Sequence, residues 1–294
     1  MASPGIRYPG RIRIFLVNVA RRILPRSTRL ISLKFFYFLS DIIFRLLGLA
    51  DKRLPWRSET VFVGRGDFKE IGQKFVRYFI ELGGLQPHDK VLDIGCGIGR
   101  MAIPLTRYLD GRGLYEGFDI IESAIDWCQR NISSHYENFH FQWADVFNRE
   151  YNSKGKFKAS RYRFPWADEF FDFVFLTSVF THMLPDDLEN YLSEIRRVLK
   201  KGKKCFITYF LLNEESTTLM NFGKSQADFK YHHGKFRTLE RDVWESAIAY
   251  EESFILHLYD KYRLGIDGIY YGSWCGRKRF LNYQDIVIAS KKDS

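Results

Sequence analysis

Lys90-Val91-Leu92-Asp93-Ile94-Gly95-Cys96-Gly97-Ile98-Gly99-Arg100 is the stretch on which the reading of this chain turns. Lys90–Ile94 has the composition of a short buried strand, and a helical pattern starts directly after Gly99, at Arg100-Met101-Ala102-Ile103. Glycines at a strand-to-helix turn let the backbone take positive φ and let a ligand approach the main chain. The dinucleotide fingerprint G-x-G-x-x-G is not met, because its last position holds Arg100 and the third glycine comes one residue early. The pattern is Asp93-x-Gly95-x-Gly97-x-Gly99 instead. A carboxylate at the strand end suits a ligand with a cationic amino group and repels a pyrophosphate.

Upstream, Phe68–Leu82 reads as a helix with Ile71, Phe75, Phe79 and Leu82 on one face, closed by Gly83-Gly84. Downstream, Leu114–Ile120 is a second strand ending in Asp119, which lies 20 residues after Gly99. That is about the spacing at which an acid reaches ribose hydroxyls. Phe139–Val146 is a third strand ending in Asp145, with Trp143 and Ala144 beside it. Three acids after three successive strands, behind a glycine turn, resemble the first three motifs of class I S-adenosylmethionine-dependent methyltransferases over about residues 65–294. The resemblance implies an α/β fold with a Rossmann-like seven-stranded sheet, mostly parallel, with an antiparallel strand from a C-terminal hairpin. It implies S-adenosyl-L-methionine as cofactor. The matching positions are Asp93, Gly95, Cys96, Gly97 and Gly99 in the first motif, Asp119 and Ile120 in the second, and Ala144, Asp145 and Val146 in the third.

Phe164–Ser178 resembles the fourth motif, and its apolar run Phe171–Leu176 suits a strand buried on both faces. Asp172 starts that strand, far from the ligand end, and reads as structural. Ligands in open α/β sheets bind outside the carboxyl ends of strands, so Thr177, Ser178, Phe180, Thr181 and His182 fall near the site. The Asn/Asp-Pro-Pro-aromatic tetrapeptide of nucleic-acid amino-group methylators is absent. A hydroxyl acceptor needs a base, and a histidine near neutral pKa is suited to it. His182 is the first candidate, with capping of the helix that follows Pro185 as its structural alternative. His232 and His233 are second candidates.

Leu188–Leu199 reads as an amphipathic helix, and Lys200–Lys204 as a solvated turn into a fifth strand, Cys205–Leu211. Residues 213–249 show no strong helix or strand pattern and read as an acceptor-side lid or insertion. Tyr250–Tyr262 reads as a helix. Ile266–Tyr271 and Gln284–Ala289 are the strands of the C-terminal hairpin, whose Gly- and aromatic-rich connection offers Trp274 and Arg277 as acceptor contacts, or is an ordinary loop.

The chain carries 45 Lys+Arg and 35 Asp+Glu over 294 residues, a net charge of +10. Residues 1–60 hold twelve of the basic residues and three of the acidic ones, which leaves 33 basic against 32 acidic in the rest. A basic surface over the whole fold is therefore not indicated. Within residues 1–58, Arg11–Leu24 and Leu30–Lys52 read as basic amphipathic helices without an uncharged apolar run long enough to span a bilayer. They form a helical extension that is a membrane anchor in the plane of an anionic surface, or a cap or dimer arm. Residues 59–294 are the methyltransferase domain. The four cysteines form no C-x-x-C pair and no metal site is expected, so a reducing, cytoplasmic compartment is expected, on the inner face of a membrane.

The leading expectation is O-methylation of a glycan, lipid-linked or hydrophobic small-molecule acceptor at a membrane surface, with no specific nucleic-acid partner. The alternative is a protein or RNA methyltransferase with the basic segment as a polyanion-binding arm. A non-catalytic binding module is disfavoured by the intact acids and glycines.

Overall fold

The computed structural model describes residues 41–42, 54–56 and 67–293. The chain divides into two compact units, residues 1–68 and 69–294. The two amphipathic helices expected in residues 1–58 lie almost wholly outside the described residues, so the architecture below is that of the second unit. No helix among the described residues is long and apolar enough to cross a membrane.

Helix α1, Phe68–Glu81, buries Gly72, Phe75, Val76 and Phe79 at the spacing of one helical face. Phe79 sets its ring 4.3 Å from that of Phe175 and 4.9 Å from that of Phe206, centroid to centroid. That contact holds α1 against one face of the sheet. Strand β1 (Lys90–Ile94) follows, then a four-residue helix α2 (Ala102–Leu105), β2 (Leu114–Asp119), α3 (Glu122–Cys128), β3 (Phe139–Trp143) and β4 (Phe171–Leu176). The helix expected from Arg100 is thus short. Pro104 sits inside it, and Gly111 and Gly113 lie just beyond.

Helix α4 (Pro185–Val198) leads into β5 (Leu199–Tyr209), and the hairpin β10 (Leu264–Tyr270) and β11 (Asp285–Lys291) completes a sheet of order β10-β11-β5-β4-β1-β2-β3. Strands β5, β4, β1, β2 and β3 run parallel. Strand β11 runs antiparallel to both β5 and β10. This is the seven-stranded sheet expected from the resemblance, with the reversed strand inserted beside the fifth. Because β11 is reversed, the β10–β11 loop lies at the same edge as the carboxyl ends of the parallel strands. Ligands of open α/β sheets bind at that edge.

Residues 213–249 are more ordered than their pattern predicts. They contain α5 (Glu214–Asn221), β7 (Tyr231–His232) and β8 (Phe236–Thr238), and β9 (Ile248–Glu251) begins at their end. With β6 (Leu211–Leu212) these strands form a second sheet, β6-β9-β8-β7. Strands of two to four residues are too short to show a period, which is why the sequence reads as irregular there. Helix α6 (Glu252–Lys261) follows β9. A small core of Phe210, Leu212, Met220, Phe229, Trp274 and Cys275 ties this layer to the hairpin loop.

The lysine cluster at the start of β5 lies at the opposite edge. Lys200 binds Asp172 at 2.9 Å and Lys203 binds Asp89 at 3.3 Å. Asp172 also accepts the Lys90 N–H, which fits its structural reading. All four cysteines are free thiols and buried.

Candidate functional site

The glycine turn is built by the missing side chains. Gly95, Gly97 and Gly99 have φ of +75°, +54° and +76°. Only glycine takes such angles without cost. The Gly95 and Cys96 N–H groups both donate to the Phe118 carbonyl, at 2.9 and 3.1 Å, which fastens the turn to β2. A Cβ at Gly95 would collide with Val179 Cγ2, and one at Gly99 would stand 2.7 Å from Ile132 Cδ1. The turn is therefore seated against the loop after β4 on one side and the π-helical turn after α3 on the other.

Asp93 is buried in β1. Its Oδ2 accepts the Tyr115 O–H at 2.6 Å, whereas its Oδ1 is buried with no hydrogen-bond partner among the described residues. Burial raises its pKa to about 8, against the opposing Tyr115 hydrogen bond. Asp119 ends β2. Its Oδ2 accepts the Gly97 N–H at 2.8 Å and its Oδ1 accepts the Ile121 N–H at 2.9 Å, so its orientation is fixed. Burial raises its pKa too, with those backbone hydrogen bonds opposing.

Asp145 lies beyond β3 and accepts from Lys156, through the backbone N–H at 3.3 Å and in an ion pair of 3.3 Å with Nζ. Ala144 is buried and its N–H donates to the Asp119 carbonyl at 2.9 Å. Val146 is buried and bridges to Phe157. Trp143, noted in the sequence beside Asp145, donates its indole N–H to the Ile120 carbonyl at 3.2 Å and joins the second and third motifs.

After β4, Thr177 is buried and Ser178 takes φ +62°. Ser178 is held there by donating its N–H to Thr208 Oγ1 and its O–H to Gln284 Oε1, both at 2.8 Å. A non-glycine residue in this region is strained and persists only when its surroundings fix it. His182 ends the 3₁₀ turn that follows. It does not cap α4, whose N-cap is Leu184 with no side-chain bond. Its Nδ1–H donates instead to the Glu245 carbonyl at 2.8 Å, which leaves the basic lone pair on Nε2. Burial lowers its pKa, so the imidazole is neutral. The Tyr151 ring stands edge-on at 5.6 Å. Glu245 and Tyr151 lie 63 and 31 positions away in the chain, and no local pattern signals either.

His233 stacks on Phe236 at 5.0 Å and lies 4.3 Å from Trp244, the neighbour of Glu245. It therefore belongs to the wall beside His182. His232 is exposed on β7.

Trp274 and Arg277 do not frame an opening, contrary to the acceptor role considered for them. Trp274 is fully buried and donates its indole N–H to Asp285 Oδ2 at 2.7 Å. Arg277 is buried and binds Glu215 at 2.7 Å and Asp285 at 3.2 Å. Asp285 also accepts the Gly272 and Leu211 N–H groups. A buried carboxylate needs donors, and these two side chains serve it rather than a substrate.

Among the described residues no group of three or more His, Cys, Asp or Glu is placed to hold a metal ion. A three-glycine turn, a tethered acid after β2 and a reversed strand in a seven-stranded sheet define a class I, Rossmann-like methyltransferase domain. S-adenosylmethionine is the cofactor of that class. The chain belongs to the methyltransferase-domain family, whose model matches residues 85–263, more than half of it. An uncharacterised protein of Haemophilus influenzae is 26% identical over 167 residues, covering 55% of this chain and 60% of its own length. A 2-phytyl-1,4-naphtoquinone methyltransferase of Trichormus variabilis is 25% identical over 156 residues, covering 52% and 62%. The matches thus span about three fifths of these relatives. The solved structure of the PH0226 protein from Pyrococcus horikoshii shares the fold, with a TM-score of 0.52 at 18% identity, covering 78% of this chain and 93% of that one.

Proposed function

We propose that this chain transfers the methyl group of S-adenosylmethionine to a hydroxyl of a hydrophobic, glycan or lipid-linked acceptor at a membrane surface. The observation that carries the cofactor assignment is the orphaned Oδ1 of Asp93, buried beside a turn of three positive-φ glycines. A buried acceptor without a donor is costly, and a ligand ammonium group supplies the donor. In this reading Gly95, Cys96, Gly97 and Gly99 give the ligand its approach to the backbone. Asp119 keeps lone pairs free beyond its two backbone bonds and takes the ribose hydroxyls. Ile120, Ala144, Asp145 and Val146 line the base, and Thr177 closes the end of β4.

When bound, S-adenosylmethionine supplies an electrophilic methyl group. His182 takes the acceptor proton on Nε2, since the Glu245 carbonyl holds its Nδ1–H and fixes the tautomer. The adjoining rings of His233, Phe236 and Trp244 offer an apolar acceptor a surface to pack on. Exposed His232 has the weaker claim to contact it. The quinone substrate named for the Trichormus variabilis relative supports an apolar acceptor class. The test is mass spectrometry of lipids, glycans and small molecules from cells with and without this protein. A species heavier by one methylene, lost with Asp119→Ala, is expected. A methylated RNA or protein in its place overturns the acceptor assignment.

A further inference from the structure

Among the described residues ten large apolar side chains are exposed, and eight of them stand at the carboxyl edge of the main sheet. All four exposed phenylalanines are among the eight: Phe147 (45%), Phe157 (56%), Phe222 (73%) and Phe280 (56%). Phe147 and Phe157 lie in the loop after β3. Phe280 lies in the β10–β11 loop. Phe222 follows α5, in a segment whose Gln226 N–H donates to the Trp274 carbonyl of that same loop. The two exceptions are Tyr136, before β3 at the other edge, and Leu256, on α6.

Each phenylalanine has exposed basic neighbours. The loop from 147 to 163 holds six Lys or Arg and one acid, Glu150, although residues 61–294 as a whole are nearly neutral. Lys156 and Lys158 flank Phe157, and Lys278 and Arg279 precede Phe280. The Lys224 ammonium lies 5.8 Å from the Phe222 ring centroid. The β3–β4 loop is also held in shape. Phe147 N–H donates to the Phe157 carbonyl at 2.8 Å, and Phe157 N–H to the Asp145 carbonyl at 3.0 Å. Asn148 Oδ1 accepts the Glu150 and Tyr151 N–H groups at 3.0 Å. The rings are presented by a fixed backbone and have no polar atom to gain from water.

Strands β3 and β10 are the two ends of the seven-stranded sheet. The β3–β4 loop starts at one end and reaches the His182 loop, where Asn148 Nδ2 donates to the His182 carbonyl at 3.4 Å, while the β10–β11 loop starts at the other end, so the phenylalanines stand in separate loops rather than in one run. Single-stranded nucleic acid is bound along a continuous basic track with rings in succession. Two separate clusters of apolar rings with basic collars fit a broad partner that is apolar beneath an anionic surface. We propose that the carboxyl edge of the sheet docks on an anionic lipid bilayer through Phe147, Phe157, Phe222 and Phe280, with the mouth of the site facing the membrane. The inference extends the membrane-surface reading above, and its test needs no turnover.

The experiment is co-sedimentation of the full chain with vesicles of phosphatidylcholine containing phosphatidylglycerol, compared with the F147S/F157S/F222S/F280S variant. The partition coefficient is expected to fall at least tenfold, with an unchanged circular dichroism spectrum and retained S-adenosylmethionine binding. A second variant, K154E/K158E/R161E, is expected to lose binding on these vesicles while leaving the spectrum unchanged. Vesicle binding equal to wild type in the phenylalanine variant overturns the proposal, as does no binding by the wild type. So does loss of oligoribonucleotide binding in both variants with vesicle binding intact. Transfer to a water-soluble acceptor, together with phenylalanine-dependent vesicle binding, sustains the docking surface and removes the apolar-acceptor reading.

Discussion

Asp93 carries the sharpest consequence at the scale of single residues. Its pKa of about 8, against 3.8 when unburied, leaves it largely protonated at pH 7 in the free protein. An ammonium ligand selects the carboxylate, so binding releases a proton. Calorimetric titration of S-adenosylmethionine at pH 7 is expected to give different enthalpies in buffers of different ionisation enthalpy, and equal enthalpies would remove Asp93 from the ligand. The linkage for folding has the same origin. The folded state holds a proton that the unfolded state has lost between about pH 4 and 8, so this group's contribution to stability falls as pH rises through that window. Asp93→Asn is expected to flatten that slope in thermal melts. His182 shifts the other way. Burial lowers its pKa below 6.5, so turnover is expected to hold above that value and to fall as the imidazole protonates below it. His182→Ala is expected to lower kcat by about 10²–10⁴-fold with the cofactor dissociation constant unchanged. A loss below tenfold would assign the base elsewhere. The positions of these two side chains at the carboxyl edge were legible from the sequence, because Asp93 lies near the end of a recognisable strand and His182 follows another within a few residues. The Glu245 carbonyl that orients His182 was not, because its position depends on the second sheet.

At the scale of elements, β11 does more than close the sheet. Asp285 at its start gathers the Gly272 and Leu211 N–H groups, the Trp274 indole and the Arg277 guanidinium. It thereby fixes the hairpin loop and β6 in one place. Burial raises its pKa to about 6 despite these donors. Asp285→Ala would leave the buried Trp274 indole and the Gly272 and Leu211 N–H groups without their acceptor, and Arg277 with Glu215 as its one ion-pair partner among the described residues, at a cost of about 3–5 kcal/mol. A denaturant midpoint within error of wild type would contradict this. The main sheet was readable because β1, β2 and β4 are largely apolar runs and β1 and β2 adjoin a glycine turn or an acid. The second sheet was not, since β6, β7 and β8 are two or three residues long. Trp274 and Arg277 were misplaced for the same reason. A glycine-flanked tryptophan and arginine look available in a loop, and only the partners Glu215 and Asp285 show them to be consumed.

For the whole molecule, charge and apolar exposure make different demands on an adsorbed surface. In the proposed membrane reading the basic residues concentrated in 1–60 would act through Coulomb attraction, which salt screens within about 10 Å at 0.1 M. Apolar insertion is not screened. Vesicle binding is therefore expected to weaken but persist at high salt, whereas binding to RNA would fall steeply with salt concentration. Complete release from vesicles at 0.5 M salt would leave electrostatics as the whole interaction. The collision that a Cβ at Gly95 would meet joins two separate parts of the site. Val179 occupies the notch that Gly95 leaves open, so the two turns around the site share one piece of space. Gly95→Ala alone is expected to abolish cofactor binding, while Val179→Gly in the same chain restores room though not the favoured φ. At this contact the glycine turn and the loop after β4 therefore cannot be reshaped one without the other.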